Sequence, residues 1–270
     1  MLEHFALDDF QKYRMLKKTL EGQHLEDYFI KKGYQTNNIS KALAINYEDS
    51  EVASRVFQAD VYRLAQKMII DSRAKRVLDI GCGIGYKLSL INKAVIRAGL
   101  DCHFIGIDGS MVNLEQCKNL GFGEWLHDDF DNPSLDAIEP VDLIVCADVI
   151  EHLFDPDSLL RYISKFTSVQ TKVLISTPDR DEVRGAASFG PPPGQHIREW
   201  NKDEFARYLN SRGLKIVQHD LVNDQDRGAL RNLLGTTRLD IPLNRLGLIG
   251  QRYKACQLVV ATFPRVVSGA

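Results

Sequence analysis

A short apolar run that ends in three alternating glycines constrains this chain most. Arg76-Val77-Leu78-Asp79-Ile80 reads as a buried strand, Gly81-Cys82-Gly83-Ile84-Gly85 as a turn, and residues 86–98 as the helix that follows. A strand feeding a helix through glycines opens a parallel α/β sheet, and such sheets bind ligands beyond the carboxyl ends of their strands. Glycine lets the backbone turn sharply there and approach a ligand without a Cβ in the way. A dinucleotide loop would carry its third glycine where Tyr86 stands. Asp79, two residues before Gly81, would also repel a pyrophosphate, so the loop suits a cationic cofactor better.

The texture after Lys75 extends this pattern. Strand-like runs at residues 103–107, 124–127, 141–147, 172–176, 214–217 and 257–261 alternate with helical stretches such as 110–120 and 201–211. Seven strands of this kind predict an α/β fold with a mostly parallel sheet covered on both faces. Before it, residues 1–72 read as an N-terminal helical cap. Phe5, Phe10, Tyr13, Leu16 and Leu20 form one periodic stretch, and Val52, Val56, Ala59, Tyr62 and Ile69 another. The second unit, residues 73–270, carries insertions at 177–199 and 223–255, the first rich in Pro and Gly and the second in Leu. Such loops serve as lids or binding loops.

Composition narrows the function classes. Apolar residues make up 44% of the 270 and charged residues 26%, the balance of a packed globular chain. A net charge of −2 gives no electrostatic case for nucleic acid, and the basic groups Lys12, Arg14, Lys17, Lys18 and Arg227, Arg231, Arg238 read as solvated faces. The five cysteines, Cys82, Cys102, Cys117, Cys146 and Cys256, form no C-x-x-C pair and read as reduced thiols. Neither a signal peptide nor a membrane span is legible, so the expected location is cytoplasmic.

Four segments then carry a resemblance. Val77 to Gly85 looks like the first motif of class I S-adenosylmethionine-dependent methyltransferases, and Phe104-Ile105-Gly106-Ile107-Asp108-Gly109-Ser110 resembles their second-strand motif. Trp125-Leu126-His127-Asp128-Asp129-Phe130 and Asp142 to Leu153 resemble the third- and fourth-strand motifs. The resemblance covers about residues 75–263 and implies a Rossmann-like methyltransferase sheet with S-adenosyl-L-methionine as cofactor. It assigns cofactor contacts to Asp79, Gly81, Cys82, Gly83, Gly85, Asp108, Gly109, Ser110, Asp128, Asp129, Phe130, Ala147 and Asp148. Asp108 would accept from the ribose hydroxyls. Asp129, or its rival Asp128, would meet the adenine amine, with Phe130 beside the ring.

On the acceptor side, a hydroxyl nucleophile needs a base or a metal. If a helical turn follows the fourth strand, spacings of three and four place Asp148, Glu151 and His152 on one face. His196 arrives later in Gln195-His196-Ile197-Arg198-Glu199-Trp200. His196, His152 and Glu151 are the candidate catalytic residues, and with Asp148 they form a candidate divalent-metal set. The acid-x-x-Glu-His and His-x-x-Glu-Trp order resembles metal-dependent 2′-O-methyltransferases of small-RNA 3′ ends, with Asp148 where that family carries Glu. The Glu-His pair also resembles ubiquinone-pathway and other small-molecule O-methyltransferases. Three readings stay open: packing histidines, a metal site, and a metal-free His196 base. Trp200 reads as an anchor for helix 201–211 or a pocket wall, with Asn201 or Asp203 as its cap. Arg180 and Arg184 read as surface residues or contacts to an anionic acceptor. The expected activity is O-methylation of a small-molecule or glycan acceptor, with an RNA ribose methyltransferase and a non-catalytic cofactor-binding partner protein as the alternatives.

Overall fold

The computed structural model describes residues 24–37, 49–136, 138–191, 196–223 and 254–264. The helical stretch expected around Phe5–Leu20, both basic groups, and nearly all of the 223–255 insertion lie outside these residues.

Seven strands form one sheet: β1 (Arg76–Ile80), β2 (His103–Asp108), β3 (Glu124–His127), β4 (Leu143–Ala147), β5 (Lys172–Pro178), β6 (Lys215–Asn223) and β7 (Lys254–Thr262), in the order β3-β2-β1-β4-β5-β7-β6. The first five run parallel, and β7 is antiparallel to both β5 and β6. The expected mostly parallel, seven-stranded sheet is therefore present, with one antiparallel hairpin at its edge. β6 and β7 are longer than their apolar runs suggested, because they pair with each other over most of their length. Each crossover adds to one side of β1 until β3, and β4 then returns to the other side. That reversal opens a crevice beyond the carboxyl ends of β1 and β4.

The pleat divides the core. Leu78, Ile80, Ile105, Ile107, Ile144 and Ile175 face one layer, and Val77, Phe104, Leu143, Val145 and Leu174 face the other. On the first face sit Tyr28, Ile30 and Tyr34, helix α5 (Pro156–Ser164) and helix α7 (Lys202–Ser211). On the second sit helix α2 (Ala59–Ser72), through Val61, Tyr62, Ala65 and Ile69, and helix α3 (Tyr86–Arg97), through Leu88, Ile91 and Val95. The periodic stretch expected over 52–69 is two helices, α1 (Glu51–Val56) and α2. The break falls at Phe57 and Gln58, where Gln58 takes a left-handed φ of 59°. Helix α4 (Met111–Cys117) starts at Ser110, whose hydroxyl accepts from Asn113 N. The 177–199 stretch, read as irregular, contains the short helix α6 (Arg180–Arg184).

Helix α7 shows how local sequence sets an element. Asn201 Oδ1 accepts from Glu204 N at 2.9 Å, and Glu204 Oε2 accepts from Asn201 N at 3.0 Å, a reciprocal capping box that selects Asn201 over Asp203. Trp200 is the anchor: it is fully buried, donates its indole N–H to Tyr28 O at 3.0 Å and stacks on Tyr208. Arg180 corrects the expectation of a surface or acceptor-binding residue. It is fully buried and donates to both carboxylate oxygens of Glu204, at 2.6 and 3.0 Å. Arg184 pairs with buried Glu199 at 3.1 Å. Replacing Asn201 with Ala removes one arm of the capping box and is expected to cost about 1 kcal/mol, read as a lower denaturation midpoint with unchanged slope.

Candidate active site

The cofactor crevice starts where β1 ends. Gly81 has φ 78°, and a Cβ there would lie 2.4 Å from Val149 Cγ2, so only glycine lets the chain pass the exit of β4. Gly83 has φ 55°, and its Cβ would meet Asp49 Oδ2 at 2.6 Å. Gly85 is the left-handed residue that starts α3. Cys82 Sγ and Cys117 Sγ both lie against Gly83 O, at 3.6 and 3.3 Å. All five cysteines are free thiols.

Asp79 is fully buried, and Tyr62 Oη donates to its two carboxylate oxygens at 3.1 and 3.0 Å. Burial pushes its pKa up to about 7, with the charge of Asp108 adding to the rise and Tyr62 and Lys87 opposing it. Asp108, at the end of β2, accepts from Gly83 N (2.8 Å), Ser110 N (2.8 Å) and Asn113 Nδ2 (3.3 Å). Burial raises its pKa as well, against those three donors. Gly109 O lies 3.2 Å from a His127 ring nitrogen. The two rivals after β3 stand differently. Asp128 is buried and organises its own loop, accepting from Ser134 N, Ser134 Oγ and Leu135 N, which hold its pKa below the ordinary value despite burial. Asp129 is half-buried and accepts from Asp131 N at 3.1 Å, while Phe130 packs against Tyr162. Ala147 O, at the end of β4, accepts from Gln58 Nε2 at 3.3 Å.

The residues expected on the acceptor side gather on the same edge. Ile150–His152 forms a single 3-10 turn after β4. The strap bearing His196 is tied to it through the main chain: Ile197 N donates to Glu151 O at 2.8 Å, and Asn37 N donates to Ile197 O at 3.0 Å. Ligating atoms of Glu151, His152 and His196 all lie within 4.8 Å of one another. The two imidazoles meet edge to face at 4.8 Å between centroids. Asp148 stands beside this group of three, its carboxylate feeling the charge of His196. Its backbone takes a left-handed φ of 54°, and its carboxylate accepts from Ser176 Oγ at 2.8 Å and from Cys256 Sγ at 3.7 Å.

Glu151 is fully buried. Its Oε2 accepts from Thr177 Oγ1 at 2.9 Å, whereas Oε1 has no hydrogen-bond partner among the described residues and lies 3.9 Å from His152 Nε2. Burial, then the charge of Asp148, pushes its pKa well up. His196 Nδ1 is 2.6 Å from Glu199 Oε1. Burial opposes charge on Glu199, but hydrogen bonds from His196 and Arg184 outweigh it and hold the carboxyl below its usual range. Glu199, held ionised, accepts from Nδ1, so in the neutral form of the ring the lone pair falls on Nε2.

Residues 50–219 match the family model of the methyltransferase domain. The chain belongs to that family. Its cofactor is S-adenosylmethionine, and the methyltransferase expectation from the sequence holds. The methyltransferase is 27% identical over 170 residues to a ubiquinone biosynthesis O-methyltransferase of Hahella chejuensis, a match covering 55% of this chain and 68% of that protein. It is 27% identical over 157 residues to another of Cupriavidus pinatubonensis, covering 53% of this chain and 61% of that protein, less than two thirds of the relative's length. In fold it is similar to the plantazolicin methyltransferase BamL, solved with a triazolic desmethylPZN analog and SAH, with a TM-score of 0.55, 15% identity, and 98% and 100% of the two chains covered. No helix among the described residues is long and apolar enough to cross a membrane.

A buried acidic root under a glycine loop that only glycine can form fits a cofactor with positive charge. The orphaned Glu151 Oε1, with two imidazoles beside it and Glu199 behind His196, fits a divalent cation. Several residues that shape the site carry no motif. Tyr62, Gln58 and Thr177 come from separate elements, with no spacing to announce them. Glu199 did have a signal, since it stands three residues after His196.

Two buried acids give the folded methyltransferase a measurable signature. Asp79 is raised to about 7, and Asp131, chiefly by burial, to about 6. Both values lie above the unfolded reference of about 3.9, so the folded chain binds these protons more tightly. That stabilisation is complete below the unfolded pKa and is lost as pH rises through 6 and 7. The ligand-free protein is expected to melt at progressively lower temperature from about pH 5 to pH 8. Asp79→Asn should flatten that slope in calorimetric scans.

Proposed function

We propose that this methyltransferase transfers the methyl group of S-adenosylmethionine to a hydroxyl oxygen of a small acceptor, a sugar or another hydroxylated metabolite. The carrying observation is the His196–Glu199 pair beside Glu151 and His152 on the edge that holds the cofactor loop. The acceptor oxygen attacks the methyl carbon in line, the carbon–sulfur bond breaks, and S-adenosylhomocysteine leaves as a neutral thioether. The acceptor proton passes to Nε2 of His196. Glu199 holds the ring in the tautomer that can accept it and stabilises the imidazolium that forms. The oxygen chemistry is supported by the names of two of the curated relatives, ubiquinone biosynthesis O-methyltransferases. The net charge of −2 speaks against an RNA acceptor. The completeness of the cofactor loop speaks against a purely non-catalytic partner.

A second reading rests on the unpartnered Glu151 Oε1. Glu151, His152 and His196 would then hold a divalent cation, which when bound lowers the pKa of the acceptor hydroxyl. In either case these side chains orient the hydroxyl.

With a panel of hydroxylated acceptors, His196→Ala is expected to lower kcat about 10²- to 10⁴-fold while leaving S-adenosylhomocysteine affinity within about twofold. A loss of affinity with intact kcat would sink the base assignment. Turnover that survives a chelator supports the base reading. Turnover that disappears with chelator and returns with added Mg²⁺, Mn²⁺ or Zn²⁺ supports the cation.

A further inference from the structure

We propose that Tyr62 is a positioning residue of the cofactor site: its hydroxyl fixes the Asp79 carboxylate at the root of the glycine loop, so docking of helix α2 and cofactor affinity are coupled. This rests on placing the cofactor over Asp79.

The two acids of the crevice are held in opposite ways. Asp108 accepts from the backbone N–H groups of Gly83 and Ser110 and from the Asn113 amide on α4, the helix that follows β2. The Asp79 carboxylate instead faces a phenol brought from outside the sheet core motifs, with both oxygens within 3.1 Å of Tyr62 Oη. Tyr62 is itself buried and sits on the stripe of α2 that packs against the sheet. The segment leading into α2 is pinned on the same edge. Asp49 N donates to Asn113 Oδ1 at 2.9 Å, Gln58 Nε2 donates to Ala147 O, and Lys87 Nζ donates to Phe57 O. Residues 49–62 thus touch the ends of β1 and β4 and the start of both α3 and α4.

The groups facing Asp79 are Tyr62 from α2, Lys87 from α3, Asp108 from β2, Cys82 from the loop and Cys146 from β4. Tyr62 and Lys87 favour the charged carboxylate, and burial and Asp108 disfavour it. The cofactor's ammonium group, which S-adenosylhomocysteine shares, binds the carboxylate form. Removing the phenol hydroxyl therefore shifts the ionisation of Asp79 to higher pH, and the loss of affinity is largest at low pH, where Asp79 is protonated, and shrinks as pH rises and the carboxylate forms in both proteins.

The test is calorimetric titration of the full chain with S-adenosylhomocysteine between pH 6 and 8.5, for wild type and Tyr62→Phe, which keeps the ring. The variant is expected to bind about 10-fold more weakly near pH 6.5, with the deficit shrinking to about 3-fold or less by pH 8.5. The ligand's own amine titrates identically for both proteins and cancels in the ratio. In turnover, KM for S-adenosylmethionine should rise while kcat changes by less than about twofold. Asp79→Asn should weaken binding and flatten the pH profile, and adding Tyr62→Phe to it should produce no further pH-dependent loss. An affinity ratio constant across pH, or an additive double variant, overturns the coupling. Wild-type protein that binds S-adenosylhomocysteine, with an affinity that Asp79→Asn leaves intact at every pH, overturns the placement of the cofactor over Asp79 instead.

Discussion

A carboxylate buried where the central strand stops, held by a phenol, is the constraint around which this methyltransferase is organised. Asp79 cannot be solvated, and burial would neutralise it were Tyr62 and Lys87 absent. Meeting that requirement brings α2 across the second face of the sheet and carries residues 49–58 over the crevice. The same edge collects Asp108, Asp148 and Glu151, each raised in pKa by burial. Four acids at or beyond the ends of β1, β2 and β4 thus share a dry edge in which burial works against their charge.

The acceptor half is held by different means. Glu151 is clamped by its main-chain carbonyl to the strap at Ile197, and by its side chain to Thr177 on β5. The strap in turn rests on fully buried Trp200 and Arg198, whose guanidinium donates to Leu153 O and Phe154 O and lies over the Tyr28 ring. His196 is thereby fixed by a rigid base of large side chains, although it sits on a stretch rich in Pro and Gly.

Much of this was legible in the sequence. β1, β2, β4 and β5 are buried on both faces and read as continuous apolar runs, so their order and the glycine turn follow from pattern alone. The ends of β6 and β7 were not legible, because β6 is a half-exposed edge strand whose extent is set by pairing rather than by hydrophobicity. Asp148 looked like a ligand beside Glu151 and His152. A left-handed backbone turns its carboxylate toward Ser176 and Cys256, and no spacing rule reveals a positive φ at an aspartate. Arg180 looked exposed because charged residues in loops usually are. Its burial depends on Glu204, 24 residues away, which the capping box happens to place beside it.

The main-chain nature of the strap's anchors has an evolutionary consequence. Gln35 N to Phe189 O, Asn37 N to Ile197 O and Ile197 N to Glu151 O are bonds between peptide groups. Peptide groups are the same in every residue other than proline, so these ties survive drift of the side chains between them. Residues 186–191 can therefore change shape and polarity from one descendant to another while His196 keeps its address. The fold in effect lets the position of the strap be inherited separately from the side chains it carries.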